Sequence, residues 1–216
     1  FFNREGNRWP DVDVTHLDMG ILQREGYEDQ LTVAYIALMN HINSVVEARQ
    51  HDARPTLVIT DEGHIITTNP LLAPYVIKIT KMWRKFGAWY WIATQNLDDF
   101  PDASRRMLSM LEWWLCLVMP KDEVEQIARF RQLTDEQRQM LLSARKESGK
   151  YTEGVVLTDS LAALFRNVPP ALALALAQTE KDEKAARAQI MRCEHCSEVE
   201  AAMHIAAGIE RRRAGD

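Results

Sequence analysis

The chain has 216 residues, 46% of them hydrophobic and 26% charged. That is an ordinary globular composition with enough apolar material for a real core, which excludes a disordered chain and a membrane-embedded one. The formal net charge of −5 speaks against bare nucleic-acid binding as the main task, because phosphate backbones attract net positive surfaces.

Three cysteines, Cys116, Cys193 and Cys196, are too few for a disulfide scaffold, so a reducing cytoplasm is the expected compartment. No apolar run reaches the roughly 20 residues of a membrane span; "ALALALA" (Ala171–Ala177) is too short. The opening "FFNREGNRWP" has no basic-then-apolar signature of a signal peptide. It has no initiator methionine, so a segment of a longer protein is expected.

In chain order, "DVDVTHLDMGIL" reads as a short strand around Val12–Leu17 that ends at Asp18 and Gly20. From about Glu25 to Gln50, Leu31, Ala34, Tyr35, Leu38, Ile42 and Val45 recur at helical spacing and predict an amphipathic helix. Thr56–Thr60 is a continuous apolar or β-branched run, the pattern of a strand covered on both faces. "NPLLAPYVIKITKMWRKFG" predicts a second helix with Asn69 as cap and Pro70 in its first turn, stopped by Gly87. "AWYWIAT" (Ala88–Thr94) is another strand, followed by polar "QNLDDFPD".

Ala103–Leu111 reads as helix, and "WWLCLVM" (Trp113–Met119) as a third buried strand stopped by Pro120. Asp122–Phe130 and Thr134–Arg145 read as helices, the latter with Thr134 and Gln137 at capping-box spacing. "ESGKYTEGVVLTD" reads as a turn with an edge strand or hairpin, and nearly everything from Ser160 onward as helix. The alternation of strands and helices predicts an α/β core with a mainly parallel sheet over residues 1–159. A helical extension over 160–216 follows it.

Two adjacent carboxylates, Asp61 and Glu62, stand at the carboxyl end of the Thr56–Thr60 strand. Open α/β sheets bind ligands at that rim. In nucleotide hydrolases a first carboxylate there helps to hold Mg²⁺ and a second orients or deprotonates the attacking water. The bland alternative is an exposed acid pair ending a strand. One helix later come a basic cluster (Lys81, Arg84, Lys85), a strand, and Thr94-Gln95 at its end. A glutamine so placed suits contact with both a γ-phosphate and the attacking water; the alternative is a loop glutamine after a solvated helix end.

Asp61-Glu62 followed by "KMWRKFGAWYWIATQNLDD" resembles the conjugative-transfer and type IV secretion ATPases of the RecA-like P-loop class, in the branch encoded on integrative conjugative elements. "FFNREGNRWPDVDVTHLDMGILQREGYEDQLTVAYIALMN" and "RCEHCSEVEAAMHIAAGIERRR" carry the same resemblance, which covers most of the chain. The resemblance implies a RecA-like core with Asp61-Glu62 as the Walker B pair and Asp61 toward Mg²⁺. Gln95 would be the sensor glutamine, and Lys81 and Arg84 part of the basic motif between them, with Lys81 binding the nucleotide. Arg84, Arg105 or Arg106 would act on a neighbouring subunit's nucleotide. It implies ATP and Mg²⁺ as cofactors and a homo-oligomeric, usually hexameric, ring. Type IV secretion channel components, and possibly a coupling protein, would be partners at the cytoplasmic face of the bacterial inner membrane.

The Gly-rich loop ending in Gly-Lys-Ser/Thr that such ATPases need is missing. "ESGKYTEG" holds Gly149-Lys150-Tyr151, with tyrosine where a metal-binding hydroxyl belongs. The loop is therefore expected upstream of Phe1 in a longer protein, and this polypeptide alone is expected to be inactive as an ATPase. Two other functions stay open: a non-catalytic interaction module docking on a secretion-channel component, and a DNA-translocating coupling ATPase. Cys193-x-x-Cys196 with His195 and His204 is half of a zinc ligand set without its second half. His64 reads as a loop histidine or a contact to phosphate or a neighbouring subunit. Asp18 reads as a cap or a lining residue of the same crevice. Trp89, Trp91, Trp113 and Trp114 read as sheet packing rather than base stacking, and "ERRRAGD" as a solvated basic helix end or, less often, a contact to an acidic partner.

Overall fold

The computed structural model describes residues 12–52, 54–95, 97, 100 and 105–215, with Ile65 described in its backbone only. The chain forms two compact units, Phe1–Ser104 and Arg105–Asp216.

The first unit is built on α1 (Glu28–Ala48), β1 (Thr56–Thr60), α2 (His64–Thr68), α3 (Leu72–Trp83) and β2 (Ala88–Ile92). α1 buries Leu31, Tyr35, Met39 and Val46 along one stripe, as the helical spacing predicts. Its first turn carries Glu28 and Asp29, which favour the positive end of the helix dipole. α3 buries Leu72, Val76, Ile79 and Trp83, again at helical intervals. Asn69 Oδ1 accepts from the backbone N–H groups of Leu71 (2.9 Å) and Leu72 (3.1 Å), so it serves the start of α3 as expected. A 3-10 turn, Arg84–Phe86, ends at Gly87, whose φ of +70° requires a residue without a Cβ penalty.

β1 and β2 pair in parallel, Thr56 with Ala88 through Thr60 with Ile92. α1 and α3 contribute to the same face of this pair. Tyr35 on α1 meets Thr60 Oγ1 at 3.2 Å and Tyr90 Oη at 3.1 Å. Trp83 on α3 stands edge-on to Tyr90 with ring centroids 6.0 Å apart, and its Nε1–H donates to Asn43 Oδ1 on α1 at 3.0 Å. The opposite face is open: Leu57, Ile59, Trp89 and Trp91 are 46%, 60%, 62% and 51% exposed. The expectation of a strand covered on both faces is thereby corrected for β1 among the described residues. Residues 12–17 form no strand either; Asp18 Oδ1 instead accepts from Gly20 N–H at 2.8 Å, fixing the turn after them.

The second unit contains α4 (Arg105–Leu108), β3 (Trp114–Leu117), α5 (Lys121–Phe130), α6 (Asp135–Ser143), β4 (Lys146–Glu147), β5 (Tyr151–Leu157), β6 (Ala162–Asn167), α7 (Ala171–Leu176), α8 (Lys181–Glu194) and α9 (Glu198–Ala214). Its sheet is antiparallel: β5 pairs with β3 and β4, and with β6 from Thr152–Asn167 to Leu157–Ala162. The mainly parallel sheet expected from sequence is therefore corrected. The parallel ladder is two-stranded and the four-stranded sheet is antiparallel. The helical reading of "LAALFRN" is corrected as well. Its alanine and leucine favour helix locally, but the β5 ladder supplies backbone partners along the whole segment, and tertiary pairing overrides propensity. Gly154 is needed in β5, since a Cβ there would lie 2.7 Å from both Cys116 O and Phe165 Cζ.

The capping box of α6 forms as expected: Gln137 N–H donates to Thr134 Oγ1 at 3.2 Å and Thr134 N–H to Gln137 Oε1 at 3.0 Å. α7 and α9 pack through Ala171, Ala175, Ala202 and Ala206, small side chains that let the helix axes approach, with Ile209 filling the end of the seam. Two arginines bind main chain here. Buried Arg187 donates to Ala175 O (2.9 Å) and Gln178 O (3.2 Å), satisfying carbonyls at the end of α7. Arg213 donates to Gly149 O (2.8 Å), Pro169 O (2.9 Å) and Lys150 O (3.2 Å), so α9 is fastened to the β4–β5 turn. The expectation of a solvated basic helix end is corrected at this residue, which binds main-chain carbonyls. Among the described residues no group of three or more His, Cys, Asp or Glu side chains is placed to hold a metal ion. No described helix is long and apolar enough to cross a membrane.

Two tests follow from this packing. Burial pushes the Cys116 thiol up to about 11, whereas Cys193 is exposed. Alkylation at neutral pH is expected to label Cys193 at once and Cys116 only on opening of the second unit. Replacing Arg213 by Ala removes charge-assisted bonds worth about 2 kcal/mol together, so Cys116 labelling is expected to accelerate ~30-fold, with Arg213→Lys recovering only part. Glu153 lies buried in β5, and Arg166, donating to it at 2.7 and 3.1 Å, holds its carboxyl below the usual glutamate value of 4.5. A depressed folded pKa contributes stability that is present above the unfolded value and lost as pH falls through the folded one. Acid titration of unfolding is expected to show that loss in the wild type and a smaller one in Glu153→Gln.

Candidate functional site

The candidate site forms where the parallel ladder runs past its last paired residues. Ala93 N–H donates to Thr60 O at 2.9 Å, and Gly63 N–H donates to Ala93 O at 2.9 Å. These two bonds keep residues 61–63 beside residues 93–95 after both strands have formally ended. The chain must turn within this distance to enter α2, and Glu62 takes the turn with φ +52°. A left-handed conformation costs a non-glycine residue about 1 kcal/mol, so it persists only where the surroundings impose it. Gly63 is part of that imposition: a Cβ at this position would lie 2.0 Å from Ile92 Cγ2, so a glycine is required for the turn to lie against β2.

The Asp61–Glu62 pair is accommodated without full burial. Asp61 is exposed, and its Oδ1 accepts from Glu62 N–H at 3.0 Å. The Glu62 side chain is 36% exposed and receives two neighbours. Gln95 Nε2 donates to Glu62 Oε1 at 3.3 Å from the end of β2. His64 Nδ1 stands 3.4 Å from Glu62 Oε2. The pair thus escapes the cost of unpaired buried anions by lying at a wet rim, with Gln95 donating to Glu62.

Beneath the rim, the hydroxyls of Tyr35, Thr60 and Tyr90 form a hydrogen-bonded group. Burial, reinforced by the neighbouring Tyr35 hydroxyl, pushes the Tyr90 phenol well above its ordinary pKa. The group stays neutral and ties Thr60, the residue preceding Asp61, to α1 and through Tyr35 to β2. A cavity of about 680 Å³ opens alongside, lined by His16, Asp18, Leu38, Ile42 and Val58 with Asp61 and Glu62 at its edge. Asp18 thus does both things its position suggested, fixing a turn and lining the crevice.

The structure brings Asp61, Glu62 and Gln95 together and does not bring Lys81 or Arg84 to them. Lys81 lies in the last turn of α3 and Arg84 opens the 3-10 turn that leads to Gly87. Gly87 O accepts from Thr56 N–H, so the basic cluster sits at the amino-terminal rim of the parallel pair. A five-residue strand separates that rim from the acidic pair by roughly 15 Å. Arg105 and Arg106 lie on α4 of the second unit. Tyr35 and Tyr90 were not distinguished by the sequence, because three elements far apart in the chain must assemble before their hydroxyls meet. Gly63 carries a faint signal, a glycine directly after two acids.

A magnesium ion fits the acidic rim, since it takes one or two carboxylates and completes its octahedron with water and phosphate oxygens. Asp61, exposed and with one carboxylate oxygen engaged by a backbone N–H, suits that task. A triphosphate finds no cradle among the described residues. The Gly149-Lys150 turn is already committed: Lys150 Nζ pairs with Glu147 at 2.7 Å, and the carbonyls of Gly149 and Lys150 bind Arg213.

No protein-family model and no curated protein matches the chain. Among solved structures it matches VirB4 of Thermoanaerobacter pseudethanolicus with a TM-score of 0.54 and 18% identity over 71% of this chain. It spans 40% of that protein's chain. The chain thus shares a mixed α/β fold with a portion of VirB4.

Proposed function

We propose that this chain is the C-terminal part of the ATPase domain of a conjugative-transfer or type IV secretion motor, in the branch carried by integrative conjugative elements. It would supply the water-activating half of an ATP site on a RecA-like core. The observation that carries this reading is the Gln95–Glu62 contact at 3.3 Å across the carboxyl ends of two parallel strands. The likeness in fold to VirB4 and the resemblance of the sequence to type IV secretion ATPases support it from two further sides.

Asp61 would hold Mg²⁺, which would offset phosphate charge there, and Glu62 would orient and deprotonate the water that attacks the γ-phosphate in line. Gln95, bonded to Glu62, couples that carboxylate to the end of β2 and so to nucleotide state. Lys81 and Arg84, at the opposite rim, serve a neighbouring subunit of a hexameric ring, with Arg105 and Arg106 as the other arginines suited to that role; a cation there offsets charge developing on the γ-phosphate. The phosphate-gripping loop comes from chain outside these residues. The motor works at the cytoplasmic face of the inner membrane on channel components and, where one is present, a coupling protein.

A second reading, an interaction module without catalysis, draws on Val199 and Met203, 51% and 52% exposed and one helical turn apart on α9. One experiment separates the two. In the longer protein that includes a Gly-Lys-Ser/Thr loop, Glu62→Gln is expected to lower kcat at least ~100-fold while ATP still binds, as removal of a general base does. Turnover at the wild-type rate, or none in the wild type, favours the module. Stimulation of turnover by DNA in the same assay would mark a DNA-translocating coupling ATPase instead.

A further inference from the structure

His64 opens α2 three residues after Asp61, and its main-chain carbonyl accepts from the hydroxyls of Thr67 (3.0 Å) and Thr68 (2.8 Å). Its backbone is thereby tied down at the mouth of the Glu62 turn. Its Nδ1 is buried, makes no hydrogen bond, and faces Glu62 Oε2 at 3.4 Å. A buried ring nitrogen without a partner calls for a reason. The tautomer supplies one. A bare Nδ1 lone pair facing a carboxylate oxygen would repel it, so the proton belongs on Nδ1, on the side of Oε2. Gln95 already donates to the other oxygen, Oε1.

We propose that His64 is a positioning residue for Glu62: its Nδ1–H holds Oε2 while Gln95 holds Oε1, so the carboxylate is aimed from both sides. The left-handed turn at Glu62, φ +52°, leaves the side chain at an open rim where few packing contacts would fix its rotamer. Two donors from two different elements do that work instead. At 3.4 Å the two atoms are within reach but the N–H direction is off the line between them, so a modest turn of the imidazole makes an ordinary N–H···O bond. This assignment rests on Glu62 being the group that activates water. The contact itself does not depend on that.

The test therefore has two arms. On the 216-residue chain, long-range ¹H–¹⁵N correlation at mildly alkaline pH reads the tautomer of each histidine. The His64 signals are identified by their loss in His64→Asn. His64 is expected as the Nδ1–H form, reverting toward Nε2–H in Glu62→Gly, a change whose backbone suits φ +52° and so keeps the turn. An Nε2–H tautomer in the wild type, or a spectrum indifferent to Glu62, overturns the proposal.

In the longer ATPase, His64→Ala is expected to lower kcat about tenfold with KM changed less than twofold, because aim and not binding is lost. His64→Asn, whose amide nitrogen reaches the Nδ1 position, recovers most of the rate. His64→Gln, whose amide reaches the Nε2 position, does not. An unchanged kcat in His64→Ala, or equal rescue by both amides, also overturns it. If the wild type itself shows no turnover, the ATPase reading falls, and the imidazole spectrum still decides whether His64 holds Glu62.

Discussion

Two backbone hydrogen bonds beyond the end of the parallel ladder, Ala93 N–H to Thr60 and Gly63 N–H to Ala93, set the distance between the acidic pair and Gln95. Every side-chain relation at the rim depends on them. They hold the loop after β1 against the loop after β2, force Glu62 into its left-handed turn, and leave room at position 63 only for a hydrogen atom. The strands themselves are positioned from below. Tyr35, Thr60 and Tyr90 share hydroxyl contacts, Trp83 packs on Tyr90, and Asn69 Nδ2 donates to Thr32 Oγ1 at 2.7 Å, so both helices are stitched to each other and to the sheet. A polar cluster at the foot of this rim is a stiff support, because each hydroxyl is satisfied by another.

The second unit uses a different device for the same purpose. Its helices and sheet are joined by cations that bind main chain. Arg187 closes the end of α7 and also pairs with Glu198 at 3.3 Å, while Arg213 takes three carbonyls from the β4–β5 turn and Pro169. Guanidinium groups suit this because their donors fan out in a plane and need no deprotonatable partner. A helix rich in alanine, such as α9, has little side-chain volume with which to lock its orientation. Directional bonds at its end supply what packing does not.

The long periodic segments were legible in the sequence. α1 and α3 follow the 3.6-residue spacing of their apolar residues, and the capping box of α6 was readable from Thr134 and Gln137 alone. The acidic pair and Gln95 were legible as strand-end residues, because β1 and β2 announce themselves through β-branched and aromatic runs. Strand direction was not. "WWLCLVM" has the same composition whether its partner is parallel or antiparallel, and β6 reads as helix until its pairing with β5 is known. Nor could periodicity reveal the Tyr35–Tyr90 contact or the Arg213 clamp, since both join residues more than forty positions apart.

The outward face of the parallel pair sets two indoles, Trp89 and Trp91, in water beside Leu57 and Ile59, while Trp83 lies 1% exposed behind the same sheet. Solvated indoles emit at longer wavelengths than enclosed ones, so the molecule carries a built-in optical gauge of what lies against this face. Anything that covered it would move the emission toward the blue, and the colour of the light would tell a crowded sheet from a bare one.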